Sequence, residues 1–189
     1  MSSDVKDQIL RTTLAVIASD GMRAVTHRRI ATDTGVAVGL ITYYFSSTQA
    51  LLESALHAVI AQEVERYESR VAELAASAPD RGALAGFLIE EVLQWREPSR
   101  RGNAGAIWAL TMDRSGDPGR QAAYARWAAA SRRTFACVAA LAGADDPAID
   151  GALLEATIVG LSFDATLAPE LDRPLVRQVI ERQLDRLGG

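Results

Sequence analysis

Few side chains in this sequence could do covalent or metal chemistry: one cysteine, Cys137, and two histidines, His27 and His57. A thiol becomes a nucleophile when a nearby base or cation lowers its pKa, and Cys137 has no evident activating partner. No Cys, His, Asp or Glu cluster has metal-ligand spacing, and the acidic residues are scattered as on an ordinary solvated surface. The expectation is therefore a protein without catalysis, metal or cofactor. The types and order of residues 26–48 suggest a different, non-covalent chemistry. Thr26 stands at a helix start, where its hydroxyl and the unpaired backbone N–H groups can face a phosphate; plain capping would use the same residue. Arg28, one turn on, can reach a guanine edge or the backbone of a duplex, its alternative being a solvated surface arginine. Ala37 and Gly39, on either side of Val38, keep a helix slim enough to approach DNA, although a helical glycine costs about 1 kcal/mol relative to alanine. Tyr43 and Tyr44 are consecutive aromatics on a short helix and cannot both face one core. Tyr43 is assigned to bases or thymine methyls and Tyr44 to phosphate, with Ile41 and Phe45 holding the helices together.

The elements that must position these residues are helices. Apolar residues recur with helical spacing between breakers, so the fold class is all-α, with about nine helices. Helix one carries the stripe Val5, Ile9, Thr13, Val16 and Ile17 and stops at Gly21. A short helix follows Thr26 as far as Gly35, and a third runs from about Ala37 to Phe45; two short helices about a glycine turn make a helix-turn-helix. Ser46 or Ser47 caps a long fourth helix reaching Ala76. Further helices are expected to about Trp95, around Ile107–Met112, from Gly119 to Leu141, from Ala148 to Leu167 and from Pro174 to Leu187. The expected division is a helix-turn-helix domain at 1–46 and a second helical domain at 47–189, with helix 47–76 as connector.

Bulk charge sets a limit on partners. The chain of 189 residues carries a formal net charge of −4 and a pI near 5.2, so any nucleic-acid contact has to be local. Residues 1–50 hold five basic and four acidic side chains, a slight excess in the expected place. The single cysteine excludes an intrachain disulfide framework, and with no long apolar run and no signal-peptide pattern the expectation is a cytoplasmic protein without a membrane partner.

Residues 9–56 resemble the DNA-binding domain of the TetR family. The resemblance rests on Ile9–Leu10 through Val16–Ile17 to Gly21, then Thr26, Arg28, Ile30 and Ala31, then Gly35–Val36, and finally Tyr43–Tyr44–Phe45 with Leu51–Leu52. The resemblance implies a homodimer that places two recognition helices in successive major grooves of a near-palindromic duplex, and a small-molecule effector that tilts the fourth helix and releases the DNA, making repression the implied outcome. Thr26, Arg28, Ala37, Val38, Gly39, Thr42, Tyr43, Tyr44 and Thr48 are the DNA-binding candidates. Two positions depart from the family: Thr42 stands where a tyrosine is common, and Thr48 where a lysine is common. Each lost phosphate neutralisation lowers the salt slope by about 0.9, so the slope should stay below about six ions per dimer.

Beyond residue 56 the resemblance is one of architecture. A pocket among the later helices would be lined by Phe87, Trp95, Trp108, Met112, Tyr124, Trp127 and Phe135, the equal alternative being that these are core residues. Three tryptophans with Tyr124 could in principle surround a cationic ligand. The eighth helix is apolar almost all round and demands burial beyond its own domain; with the ninth it is expected to dimerise through Leu154, Ile158, Leu161, Val176, Ile180 and Leu184. The rival class is a helical small-molecule-binding or scaffold protein whose helix-turn-helix no longer reads DNA.

Overall fold

A computed structural model describes residues 2–97, 100, 103, 105, 107, 108, 118–167 and 171–187. Its helices are α1 (Ser2–Asp20), α2 (His27–Thr34), α3 (Val38–Tyr44), α4 (Thr48–Ala76), α5 (Arg81–Leu93), α6 (Pro118–Leu141), α7 (Pro147–Leu167) and α8 (Arg173–Leu184). Short 3-10 turns at Met22–Ala24 and Gln94–Arg96 were not anticipated as separate elements. No strand occurs among the described residues. The chain is all-helical, and its helix boundaries fall where glycine, proline and capping side chains punctuate the sequence.

The chain divides into two compact units, Met1–Gln62 with Arg101–Ala125, and Glu63–Arg100 with Arg126–Gly189. In the first, α1 buries Ile9, Leu10, Thr13, Leu14, Val16 and Ile17, and the Thr13 hydroxyl is satisfied by donating to the Ile9 carbonyl at 2.8 Å. Helix α2 packs on both α1 and α3. It begins at Thr26, whose hydroxyl accepts the Arg29 N–H at 3.1 Å, and ends at Gly35 with φ 71°. That left-handed glycine lets the Gly35 N–H reach the Thr32 carbonyl and the Val36 N–H reach the Ala31 carbonyl, satisfying helix-end acceptors and setting the turn into α3. Ile30, Ile41 and Phe45 close the core of this trihelical unit, and Ser47 caps α4 by accepting the Ala50 N–H.

In the second unit α5 packs against α7 and α8. Its core joins Leu84, Leu88 and Ile89 to Phe135, Val138, Leu154, Ile158, Val176, Ile180 and Leu184. Asp80 and Asp172 cap α5 and α8 by accepting the Ala83 and Leu175 N–H groups, and Pro174 sits in the first turn of α8, where no N–H is required. Helices α6 and α7 meet backbone to side: a Cβ on Gly151 would lie 2.6 Å from Ala136 Cα and N.

The expected dimer residues take part in the packing of a single chain. Leu154, Ile158, Val176, Ile180 and Leu184 are buried within one chain, and Leu161 packs against the same cluster. Freeing each fully buried side chain would cost about 1.5–3 kcal/mol. Helix α7 has two apolar stripes. The outer stripe is Ile149, Leu153, Ala156, Gly160, Phe163 and Leu167, all exposed and spaced alternately by four and three residues.

Candidate nucleic-acid interface and sensor residues

The outward face of the first unit is built from the ends of α2, α3 and α4. Arg28 and Arg29 are adjacent yet differ in their bonding. Arg29 is held by Asp33 at 2.5 Å and Asp20 at 3.0 Å, and these bonds, Asp33 first, raise its already high pKa. Arg28 is exposed and forms no ion pair among the described residues, so its guanidinium remains available to an outside acceptor. Thr26, also exposed, accepts at its oxygen for the cap, which leaves its hydroxyl proton to donate elsewhere.

Helix α3 presents Val38, Gly39, Thr42 and Tyr43 to solvent. Its N-cap, Ala37, supplies no side-chain hydrogen bond, so the first N–H groups of the helix are not satisfied by a capping side chain. Tyr43 is 80% exposed and meets Tyr44 edge to face, ring centroids 5.2 Å apart at 75°. Tyr44 is half-buried and leans on Phe45, which is fully inside. A Cβ at Gly39 would meet nothing within 4 Å, and its φ lies outside the positive region, so neither packing nor backbone conformation calls for glycine there. The Thr42 hydroxyl donates to the Val38 carbonyl at 3.2 Å, which turns it along its own helix. Thr48, the first residue of α4, is half-buried.

The expected pocket residues are distributed over both units. Trp108 and Tyr124 belong to the first, Trp108 half-buried and Tyr124 exposed; Met112 lies outside the described residues. Phe87, Trp95, Trp127 and Phe135 belong to the second and are all buried. Phe87 and Phe135 are members of its main apolar core, and Phe135 stands edge-on to Tyr67 at 6.4 Å.

The sequence reading missed a buried charge network in the second unit. Glu63 and Glu91 are 3% and 0% exposed, which corrects the picture of acids scattered on a solvated surface. Arg66 grips Glu91 with both terminal nitrogens, at 2.9 and 3.0 Å, and Glu63 with Nε at 2.9 Å. Arg70 and Gln94 also donate to Glu91, and Arg100 donates to both oxygens of Glu63 at 2.6 and 2.7 Å. Each arginine also covers an aromatic ring: Arg66 lies over Tyr67 at 4.4 Å, Arg70 over Phe87 at 5.0 Å and Arg100 over Trp95 at 5.1 Å. Burial works to lower the Arg66 pKa, but the hydrogen bonds and charges of Glu91 and Glu63 outweigh it and the pKa rises. Burial, with the Glu91 charge, pushes the Tyr67 phenol well above its ordinary range. The available signal was spacing: Glu63, Arg66, Tyr67 and Arg70 recur on one face of α4, and Glu91 interrupts an apolar run in α5. Among the described residues no group of three His, Cys, Asp or Glu side chains could hold a metal, and no helix is long and apolar enough to cross a membrane.

Residues 9–55 match the family described as bacterial regulatory proteins, tetR family. Comparison with curated protein sequences finds no match. Among solved structures, a TetR-family transcriptional regulator from Rhodococcus sp. is 25% identical with a TM-score of 0.72, covering 99% of this chain and 100% of that one. A transcriptional regulator from Saccharomonospora viridis, in complex with choline, is 24% identical with a TM-score of 0.73, covering 97% and 96%. The multidrug binding protein EbrR, complexed with ethidium, is 23% identical with a TM-score of 0.67, covering 95% and 97%.

Proposed function

We propose that this chain, whose residues 9–55 match the tetR family of bacterial regulatory proteins, is a ligand-responsive repressor that binds a near-palindromic operator as a homodimer and releases it to a small organic cation. The observation that carries the DNA half of this reading is the α3 face. Gly39 is unneeded by the fold and Tyr43 projects into solvent beside it, a combination that is costly in an isolated chain and useful against a duplex. Residues 1–46 form the DNA-binding domain. Thr26 and Tyr44 take phosphates, Arg28 and Tyr43 take base edges, and Ala37, Val38, Gly39, Thr42 and Thr48 complete the contact surface. Residues 47–189 form the sensing and dimerisation domain, with α4 as connector, and the protein works in the cytoplasm.

Dimerisation uses the outer stripe of α7. Ile149, Leu153, Phe163 and Leu167 supply apolar area at heptad spacing, and Ala156 and Gly160 between them let the second copy approach. Leu175, exposed on α8, extends the surface. The choline and ethidium held by two structural neighbours, both organic monocations, support this choice of effector class. Effector and DNA then compete by population shift, since a ligand moves the balance only through its differential affinity for the two states.

The test is selection of bound duplexes from random or genomic DNA by the purified protein, with Arg28→Ala and Tyr43→Ala in parallel. The expected result is one palindromic site, enriched by the wild type and lost by both variants. Failure to enrich any site at low or moderate salt would transfer the protein to the class of ligand binders whose helix-turn-helix no longer reads DNA.

A further inference from the structure

We infer that Arg100 is an internal stand-in for the effector: its guanidinium occupies a cation site made by the Glu63 carboxylate and the Trp95 ring, and a monovalent organic cation whose charged nitrogen bears no hydrogen binds there by displacing it. This rests on the effector reading above and adds the site, the mechanism of entry and the selectivity.

Three observations carry it. First, the surroundings are those of a cation receptor. Glu63, itself buried, meets Arg100 at 2.6 and 2.7 Å, and the indole of Trp95 lies 5.1 Å from the guanidinium carbon. A carboxylate and an aromatic face converging on one position favour a positive charge over any neutral group. Second, guanidinium suits the site imperfectly. Arg100 Nε is buried and has no hydrogen-bond acceptor among the described residues. A buried donor left unsatisfied is unfavourable, and a quaternary ammonium or an N-alkylated aromatic cation brings no charged N–H to satisfy. Third, Arg100 is held less firmly than Arg66, and unlike Arg70, which pairs with Glu91, it is the weakly held arginine that pairs with Glu63. Arg66 is bound by three nitrogens to two carboxylates, whereas Arg100 uses one nitrogen, and its side chain retains 26% exposure, an open path to water.

Charge fixes the valence of the ligand. Three arginines, at 66, 70 and 100, face two carboxylates, at 63 and 91. With Arg100 swung into solvent the remaining network is neutral, and a monocation restores the single positive charge the folded site already holds. A dication would exceed it, and an anion would be drawn to the arginines in place of the carboxylates.

Binding of ethidium and of choline to the full chain is measured by calorimetry for the wild type, Arg100→Ala, Glu63→Gln and Trp95→Leu, with decanoate as the anionic probe and thermal melting of every variant. The expected results are at least fivefold tighter binding of ethidium by Arg100→Ala, which a damaged fold cannot mimic, and at least tenfold weaker binding by Glu63→Gln and Trp95→Leu. Equal or weaker ethidium binding by Arg100→Ala overturns the stand-in. So does failure of both cations to bind wild type and Arg100→Ala, or decanoate binding that Arg100→Ala abolishes. The same titrations with operator duplex present distinguish this idea from the reading it rests on. Tightening by Arg100→Ala without DNA release keeps the site and removes its regulatory role. DNA release by ethidium without tightening keeps the regulator and removes this site.

Discussion

Arg28 and Arg66 show how differently the two compact units use charge. In the first unit Arg28 is exposed and forms no ion pair among the described residues, while the core around Ile9, Ile30 and Ile41 contains no charged group. In the second, Arg66 is held by two carboxylates in the interior, on the edge of an apolar core. The trihelical part of the first unit keeps its charged groups at the surface, although Arg120 of the same unit is buried and donates to Gln49 at 3.1 Å. The second has folded its polar chemistry inward, so that stability and recognition depend on the same side chains. Changes to the outer face of the first unit should therefore alter binding and spare the fold, and changes to the network should do both.

The largest effect expected from this contrast is that of Glu91→Ala. Removing the carboxylate strands Arg70 and takes two of the three hydrogen bonds of Arg66, which should cost about 3 kcal/mol, the lower end for a broken buried pair because both arginines keep some solvent. Chemical denaturation measures it, and a change below about 0.5 kcal/mol, the range of an ordinary surface site, would erase the contrast. Next comes Leu153→Glu, on the outer stripe of α7. It should leave the single-chain core intact and weaken self-association by about 2 kcal/mol per chain, from the lost leucine burial, seen as a shift to monomer in light scattering. Alkaline pH tests the inward-facing chemistry more gently. Tyr67 stays protonated when folded but ionises near pH 10 when unfolded, so its contribution is fully present below pH 10 and declines above it. At pH 11 the loss is about 1.4 kcal/mol, and Tyr67→Phe should lose this part of the pH dependence. The smallest effect sharpens the comparison most. Gly39→Ala should stabilise the chain by about 1 kcal/mol while weakening operator binding, a divergence of fold and DNA binding.

The first unit was legible in the sequence because its signals are local. Thr26, Gly35 and Ser47 act on backbone groups within four residues, and the stripe on α1 repeats at the helical period, so caps, turns and the buried face of Ile9, Thr13, Val16 and Ile17 could be read directly. The second unit depends on which of several apolar faces meets which helix, and periodicity cannot decide that. Both stripes of α7 are compatible with burial, and only the positions of α5 and α6 determine that Leu154 and Ile158 face inward. The charge network was hidden for the same reason. Glu63 and Arg66 look like an exposed helical pair until Glu91, far away in sequence, is brought against them. Ser47 stands in the expected place as a cap, yet the expected line of aromatic residues fell on two units, since seven aromatic and Met positions say nothing about which of them share a neighbourhood.

Gly39 and Gly151 would leave opposite traces in a population of random variants. Any replacement at Gly151 drives a carbon into the backbone of α6, whereas a side chain at Gly39 enters open space. A library sorted only for folded protein should therefore accumulate substitutions at Gly39 and none at Gly151. Sorted for operator occupancy, the same library should be empty at both positions, and the difference between the two sorts separates what the chain keeps for itself from what it keeps for DNA.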